Sequence, residues 1–251
     1  MEKLLQSVWF GEKGEKIVIE PDEEAKILIR YIEQFKTGDF NGKREFVEFF
    51  TNSTSYEIYA VGMRAFLAVC KHRDLELIYE FIRTSDEQKL RVFLAYVQEA
   101  LSYQVIPFLI ELLEIWEETY IENTIIQIIR EMLRCDLVDG KCDVIKIRKA
   151  YDDFTKKNDI DKYYYKGELF HLSVLTRKVL KVSMDCRINN KKYYAIELSS
   201  LLSNCTGRKC PMVNGMLVDA SGICDITKYI GGMVDLDHEK GKKYFYNYLV
   251  E

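Results

Sequence analysis

Ile27, Leu28, Tyr31, Ile32 and Phe35 recur at i, i+1, i+4, i+5 and i+8 near the start of the chain. That spacing places them on one stripe of a helix, and Pro21 stands where it can open that helix, since a first-turn N–H lacks an intrahelical partner anyway. Asn41 is a candidate cap for a second helix with Phe46, Phe49 and Phe50 on its inner face. Thr54 is a candidate cap for a third, reaching about Lys71. The sequence then repeats itself. MRAFLAVC at 63–70 aligns with LRVFLAYV at 90–97, an offset of 27. Leu75, Ile78, Tyr79 and Ile82 match Val105, Phe108, Leu109 and Leu112 at an offset of 30. Each unit is two helices, and neither helix can bury its apolar stripe alone, so stacking is the expected solution. A helix over 120–134, carrying Ile121, Ile125, Ile128, Ile129 and Met132, continues the stack.

The pattern breaks at DLVDGKCD (136–143), where Gly140 is a stop signal, and a helix resumes over roughly 142–156. KKNDIDKYYYKG reads as a loop with three consecutive tyrosines, and Phe170 to Arg187 as a helix. Beyond it, KKYYAIEL, the Asn214-Gly215 pair and KKYFYNYLVE bring short alternating or aromatic runs of the kind that form small strands. The expected fold class is therefore mainly α: HEAT-like stacked helical hairpins with a mixed, partly β C-terminal region. The expected organisation is an acidic helical-repeat region, 1–137, and a basic C-terminal region, 138–251, packed on it or continuous with it.

Charge draws that boundary. Residues 1–137 hold 16 Lys+Arg against 25 Asp+Glu, a net of −9, and residues 138–251 hold 20 against 15, a net of +5. From Val92 to Ile129 there is no lysine or arginine, but there are Glu99, Glu111, Glu114, Glu117, Glu118 and Glu122. If the chain turns near Ser102–Gln104, Pro107 falls in a first helical turn. Glu111, Glu114 and Glu118 then share one face, opposite Phe108, Leu112 and Trp116. An ordinary solvated helix face is the plain reading of such a run. The functional reading is an acidic ridge that docks a basic protein partner through Glu111, Glu114, Glu117, Glu118, Tyr120 and Glu122. Tyr120 is the aromatic anchor candidate, with Trp116 expected to be partly buried. A surface of this sign disfavours nucleic acid.

With 251 residues, 48% hydrophobic and 30% charged, the chain can bury a substantial core and stay soluble. No apolar run approaches the ~18 residues that span a bilayer, and the start lacks the apolar region of a signal peptide. A cytoplasmic protein with no membrane partner is expected. Seven cysteines at irregular spacing fit reduced thiols.

Chemistry has few candidates. In SNCTGRKCPMVNG (203–215) Cys205 and Cys210 are spaced C-x4-C, and Cys224 follows without a neighbour to pair with. A structural zinc site wants two paired elements and four ligands, and a redox pair wants C-x-x-C. The stretch reads instead as a structured loop, with Gly207 and Gly215 permitting turns and Pro211 fixing the chain after Cys210. DLDHE (235–239) groups Asp235, Asp237, His238 and Glu239, but consecutive residues cannot converge on one ion from regular structure. There is no G-x-x-x-x-G-K-[ST], G-x-G-x-x-G, H-E-x-x-H or G-x-S-x-G. With His72, His171 and His238 the only histidines, general-base chemistry is sparsely equipped. No catalytic residue, metal or cofactor is expected.

GMRAFLAVCKHRDL, EQKLRVFLAYVQEAL, IPFLIELLEIWEETYI, YYYKGELFH, SNCTGRKCPMVNG and KKYFYN together resemble family forty-seven of the bacterial polymorphic-toxin immunity proteins, over roughly 60–246. The resemblance implies a small cytosolic protein, encoded beside a toxin, that protects its producer by binding the toxin without catalysis. A cognate toxin domain is the implied partner, and the acidic ridge read above suits a basic one. The alternatives are a helical-repeat adaptor for some other protein and an enzyme whose site would be Asp235, Asp237 and His238.

Overall fold

The structure is a computed structural model and describes residues 23–135 and 144–250. Pro21 and Gly140 lie outside the described residues. Eleven α-helices and two antiparallel two-stranded sheets account for the regular structure of the described residues, so the fold is mainly helical. Packing divides the chain into two compact units. The first is Asn41–Phe170 with Glu23–Leu28; the second is His171–Val250 with Ile29–Phe40. Packing thus changes unit at 170/171, whereas charge changes sign near 137. Helix α1 (Glu23–Lys36) buries Leu28, Ile32 and Phe35 from its predicted stripe.

In the first unit, α2 (Lys43–Asn52) begins after Gly42, whose φ of 74° makes the turn that Asn41 is expected to supply as a cap. Helix α3 (Tyr56–Val69) is capped by Ser55, not Thr54: its hydroxyl accepts the Ile58 N–H at 3.3 Å. It ends at Val69, two residues short of expectation, because Cys70 is extended. Every residue from Ile58 to Val69 is buried, as an all-round apolar helix requires. A Cβ on Gly62 would lie 2.5 Å from Phe50 Cβ, so only glycine lets α2 approach this closely. Arg64, a cation on this central helix, is buried and pairs with buried Glu99 at 3.4 Å.

Two segments thirty residues apart share a local element order. A 3₁₀ turn at Arg73–Leu75 leads into α4 (Glu76–Thr84). After α5 (Glu87–Tyr96) and a 3₁₀ turn at Val97–Ala100, another at Tyr103–Val105 leads into α6 (Ile106–Ile115). The turns before α4 and α6 lie thirty residues apart, the offset read from the sequence. Phe66 and Phe93 are both fully buried, and Pro107 sits in the first turn of α6. Helices α7 (Tyr120–Leu133) and α8 (Val144–Lys157) both pack on α6. The tyrosine run expected as a loop is instead the start of a hairpin, β1 (Tyr164–Tyr165) and β2 (Glu168–Leu169). Its turn residues Lys166 (φ 45°) and Gly167 (φ 74°) are both left-handed, as a two-residue turn matched to strand twist demands.

The second unit contains α9 (Leu172–Ile188), α10 (Ile196–Thr206) and α11 (Ala220–Gly231), then a hairpin of β3 (Tyr244–Phe245) and β4 (Tyr248–Leu249). Helices α10 and α11 both pack on α9, as α7 and α8 do on α6. KKYYAIEL contributes only an isolated bridge, Lys192 with Leu217, before α10 begins. No helix among the described residues is long and apolar enough to cross a membrane.

The stretch from α6 to the first hairpin and the second unit's α9 to its hairpin therefore share one element order, and matching positions can be named. Ile125, Ile128, Ile129 and Met132 on α7 correspond to Leu198, Leu201, Leu202 and Cys205 on α10, 73 positions later, and all eight are buried. Ile147, Tyr151 and Phe154 on α8 correspond to Ile226 and Ile230 on α11 and to Met233 just past its end, 79 later. The hairpins are 80 apart. Phe170 N–H donates to Tyr163 O and Val250 N–H to Lys243 O, both at 2.9 Å. The preceding turns close by Lys162 N–H to Asp159 O (3.1 Å) and Lys242 N–H to Glu239 O (3.4 Å). Tyr246 and Asn247, at φ 51° and 66°, repeat the left-handed pair of the first hairpin.

Candidate functional site

The acidic run is less uniform in space than in sequence. Helix α6 stops at Ile115, with Trp116 as its C-cap. Glu118 follows with φ 61°, off the helix, so it does not share a helix face with Glu111 and Glu114 as expected. Thr119 then precedes α7, whose third residue Glu122 reaches back to accept the Glu118 N–H at 2.9 Å. That contact resembles half a capping box and gives Glu122 a structural task. Trp116 is half-buried and Tyr120 exposed, as the sequence predicts.

Four arginines from outside the run contact it. Arg83 on α4 grips Glu111 with two bonds, Nε to Oε1 at 2.6 Å and Nη2 to Oε2 at 3.1 Å. This charge-assisted pair holds the Glu111 carboxyl below the usual glutamate range. Arg148 on α8 meets Glu114 at 3.1 Å. The Arg91 guanidinium lies 4.4 Å from the Tyr120 ring centre. Glu99 is withdrawn altogether into its pair with Arg64. Glu117 and Glu118 are left as exposed carboxylates without an ion-pair partner among the described residues. Beside them stand exposed Ile115 and Tyr120. Ile145, one turn before Arg148 on α8, is also exposed. The sequence reading missed Ile115 and Ile145; their position at helix ends hid them in an otherwise apolar periodicity.

The cysteine stretch is more ordered than a loop. Ser203 to Thr206 form the last turn of α10, and Gly207, at φ 64°, caps it. Cys205 and Cys210 are buried, and burial pushes the Cys210 thiol up. Ser203 Oγ accepts the Cys210 N–H at 3.0 Å, which folds the chain back over the helix end. Cys224 is exposed on α11. Among the described residues no three His, Cys, Asp or Glu side chains gather as a metal set.

The histidines have structural surroundings. His171 caps α9 by accepting the Ser173 N–H at 3.2 Å. His72 stacks on Tyr163 at 4.2 Å, its ring nitrogens meeting Ser102 Oγ (2.7 Å) and Asp161 O (3.1 Å). His238 is buried and stacks on Tyr244 at 4.0 Å. Its Nε2 meets Asn247 Oδ1 at 3.2 Å, and its Nδ1 is buried without a hydrogen-bond partner. Burial lowers its pKa, outweighing the Asn247 bond. Asp235 and Asp237 are exposed and do not converge with it into an inward-facing set.

The described geometry is thus that of a scaffold with exposed helix ends. No curated protein and no solved structure matches the chain. The family described as Immunity protein 47 matches residues 8–250, nearly its whole length, and the chain belongs to that family of immunity proteins.

Proposed function

We propose that this protein neutralises a cognate bacterial toxin of a polymorphic toxin system by non-catalytic binding in the cytoplasm. Family membership supports a toxin-neutralising role in general. The contact proposed is the turn between α6 and α7 and its flanks: Glu117, Glu118 and Tyr120, with Glu111, Glu114 and Glu122 at the edge and Ile115 beside them. The observation that carries it is the pair of unpartnered carboxylates next to exposed apolar side chains, a composition that suits a basic toxin domain. The paired helices of the first unit, read as HEAT-like hairpins, hold that turn on a rigid base. Neutralisation is then steric or electrostatic: the active site is covered, or the toxin is held in an inactive form.

The test is calorimetry with the toxin domain encoded beside the gene, at two salt concentrations. Charge reversal at Glu114, Glu118 and Glu122 is expected to weaken binding and flatten its salt dependence. Glu117→Lys with Glu118→Lys is expected to do so without disturbing the Arg148 pair or the Glu122 cap. Equal binding by wild type and both variants places the toxin contact elsewhere.

A further inference from the structure

The second unit has an exposed apolar face of its own, and its surroundings carry the opposite charge. Met184 and Ile188 lie four residues apart on α9, so they share one helix face near its C-terminal end. The chain then turns back: Lys191 N–H donates to Cys186 O at 2.8 Å. The next residues are tied to the segment before α11. Tyr193 N–H donates to Met216 O at 2.8 Å, Gly215 N–H to Tyr193 O at 2.7 Å, and Lys192 pairs with Leu217 in the antiparallel bridge. Directly paired residues point to the same side of a bridge. Tyr193 is wholly buried, so its neighbours Lys192 and Tyr194 face away from the core, with Leu217 beside Lys192. Ile188 is 76% exposed, Tyr194 67% and Leu217 55%. The Lys191–Cys186 bond folds this segment back against the end of α9 that carries Ile188, so exposure on that scale makes a patch rather than a scatter of single side chains.

Lys181, Arg187, Lys191 and Lys192 surround this patch, all exposed and none in an ion pair among the described residues. The unit as a whole agrees in sign. His171–Val250 carries 12 Lys+Arg against 7 Asp+Glu, a net of +5, while Asn41–Phe170 carries 18 against 23, a net of −5. The arginines near the α6–α7 turn are taken up by Glu111 and Glu114; nothing comparable quenches the basic ring here. An apolar centre with an aromatic residue and a ring of free cations is the anatomy of a protein-binding patch, and it fits a surface of opposite sign. Nucleic acid would call for cations at the centre of the contact, where Ile188 and Leu217 stand.

We infer that the face formed by Met184, Ile188, Tyr194 and Leu217 is a second docking surface, which takes a protein surface of apolar side chains ringed by carboxylates. The inference rests on the toxin-binding reading above and adds an acidic region to the toxin's contact. The experiment measures binding of the toxin domain encoded beside the gene by surface plasmon resonance. The wild type is compared with Ile188→Ser/Tyr194→Ser, Lys191→Glu/Lys192→Glu and Glu117→Lys/Glu118→Lys. The serine pair is expected to raise Kd at least tenfold, and the glutamate pair to slow association at low salt, with melting temperatures unchanged. Toxin binding by the wild type that neither second-unit variant weakens overturns this inference and leaves the first reading standing. No binding by the wild type overturns both. Two further results also overturn it: a wild-type dimer in sedimentation velocity that the serine pair dissociates while toxin affinity holds, and tight binding of a single-stranded oligonucleotide that the glutamate pair abolishes.

Discussion

The two hairpins are built alike and anchored differently. In the second unit, the Asn247 N–H donates directly to Cys205 O at 2.8 Å, and its side-chain amide to Thr206 O at 3.0 Å. In the first, the equivalent Gly167 N–H donates to the Tyr103 hydroxyl at 2.7 Å, and that hydroxyl in turn donates to Met132 O. Met132 and Cys205 occupy matching places on α7 and α10. One unit therefore closes the hairpin onto a helix end directly, and the other inserts a tyrosine as a relay. The accepting carbonyls belong to the last turn of a helix, where no intrahelical donor remains, so both solutions answer the same need. A shared demand for partners is thus met by different residues in the two parts.

The largest test of this equivalence is in the cores. Phe93→Ala is expected to cost about 3–5 kcal/mol, and Ile129→Ala and Leu202→Ala about 2–5 kcal/mol each, since all three are fully buried. Chemical denaturation measures it. A near-zero loss for Leu202→Ala beside a full loss for Ile129→Ala would break the correspondence of α7 with α10. Tyr103→Phe comes next, at about 1–3 kcal/mol, because it leaves a buried carbonyl and an N–H without their shared partner. Asn247→Gly strips Thr206 O and His238 Nε2–H of their side-chain partner but keeps the backbone bond and puts glycine at φ 66°, which offsets part of that loss, so about 0.5–1.5 kcal/mol is expected. If the two losses are reversed, the relay is not what holds the first hairpin. Gly167→Ala is expected to cost about 1–2 kcal/mol, since its φ is +74° and a Cβ would lie 2.9 Å from Arg134 Cδ. Its thermal melt, set against that of Asn247→Ala, separates turn strain from lost side-chain bonds.

The smallest effect is a pH dependence confined to one histidine. Nε2–H of His238 is directed at Asn247 Oδ1, and a proton on Nδ1 would be buried without an acceptor. The folded protein thus holds His238 neutral, with its pKa lowered. The unfolded chain binds that proton more readily. The stability from this group is present above the ordinary histidine value of about 6.5 and is lost as pH falls below it. His72, with a partner on each ring nitrogen, has no such orphan. Melting temperature against pH should fall shallowly below about pH 6.5 in the wild type and less in His238→Phe. An unchanged slope in that variant assigns the dependence to other groups.

Helical content, the place of Pro107 and the burial of Phe66 and Phe93 were legible in the sequence. Each follows from periodicity over a few turns, which is local. The hairpin at Tyr164 was not, because its signal is a Lys-Gly turn flanked by strands of two residues, too short for alternation to show. The likeness of the second unit to the stretch from α6 to the first hairpin was hidden too. Its helices correspond at offsets of 73 and 79 and its hairpin at 80, so no single period exists to be found. The acidic ridge shows the limit most clearly. The sequence by itself determined that Val92–Ile129 carries carboxylates and no cations. Only the tertiary structure decided which of them remain as charge, because Arg64, Arg83 and Arg148 reach Glu99, Glu111 and Glu114 from 28 to 35 residues away. Coulombic pairing acts through space, and a linear run of one sign specifies a field only after the fold has placed its counter-charges.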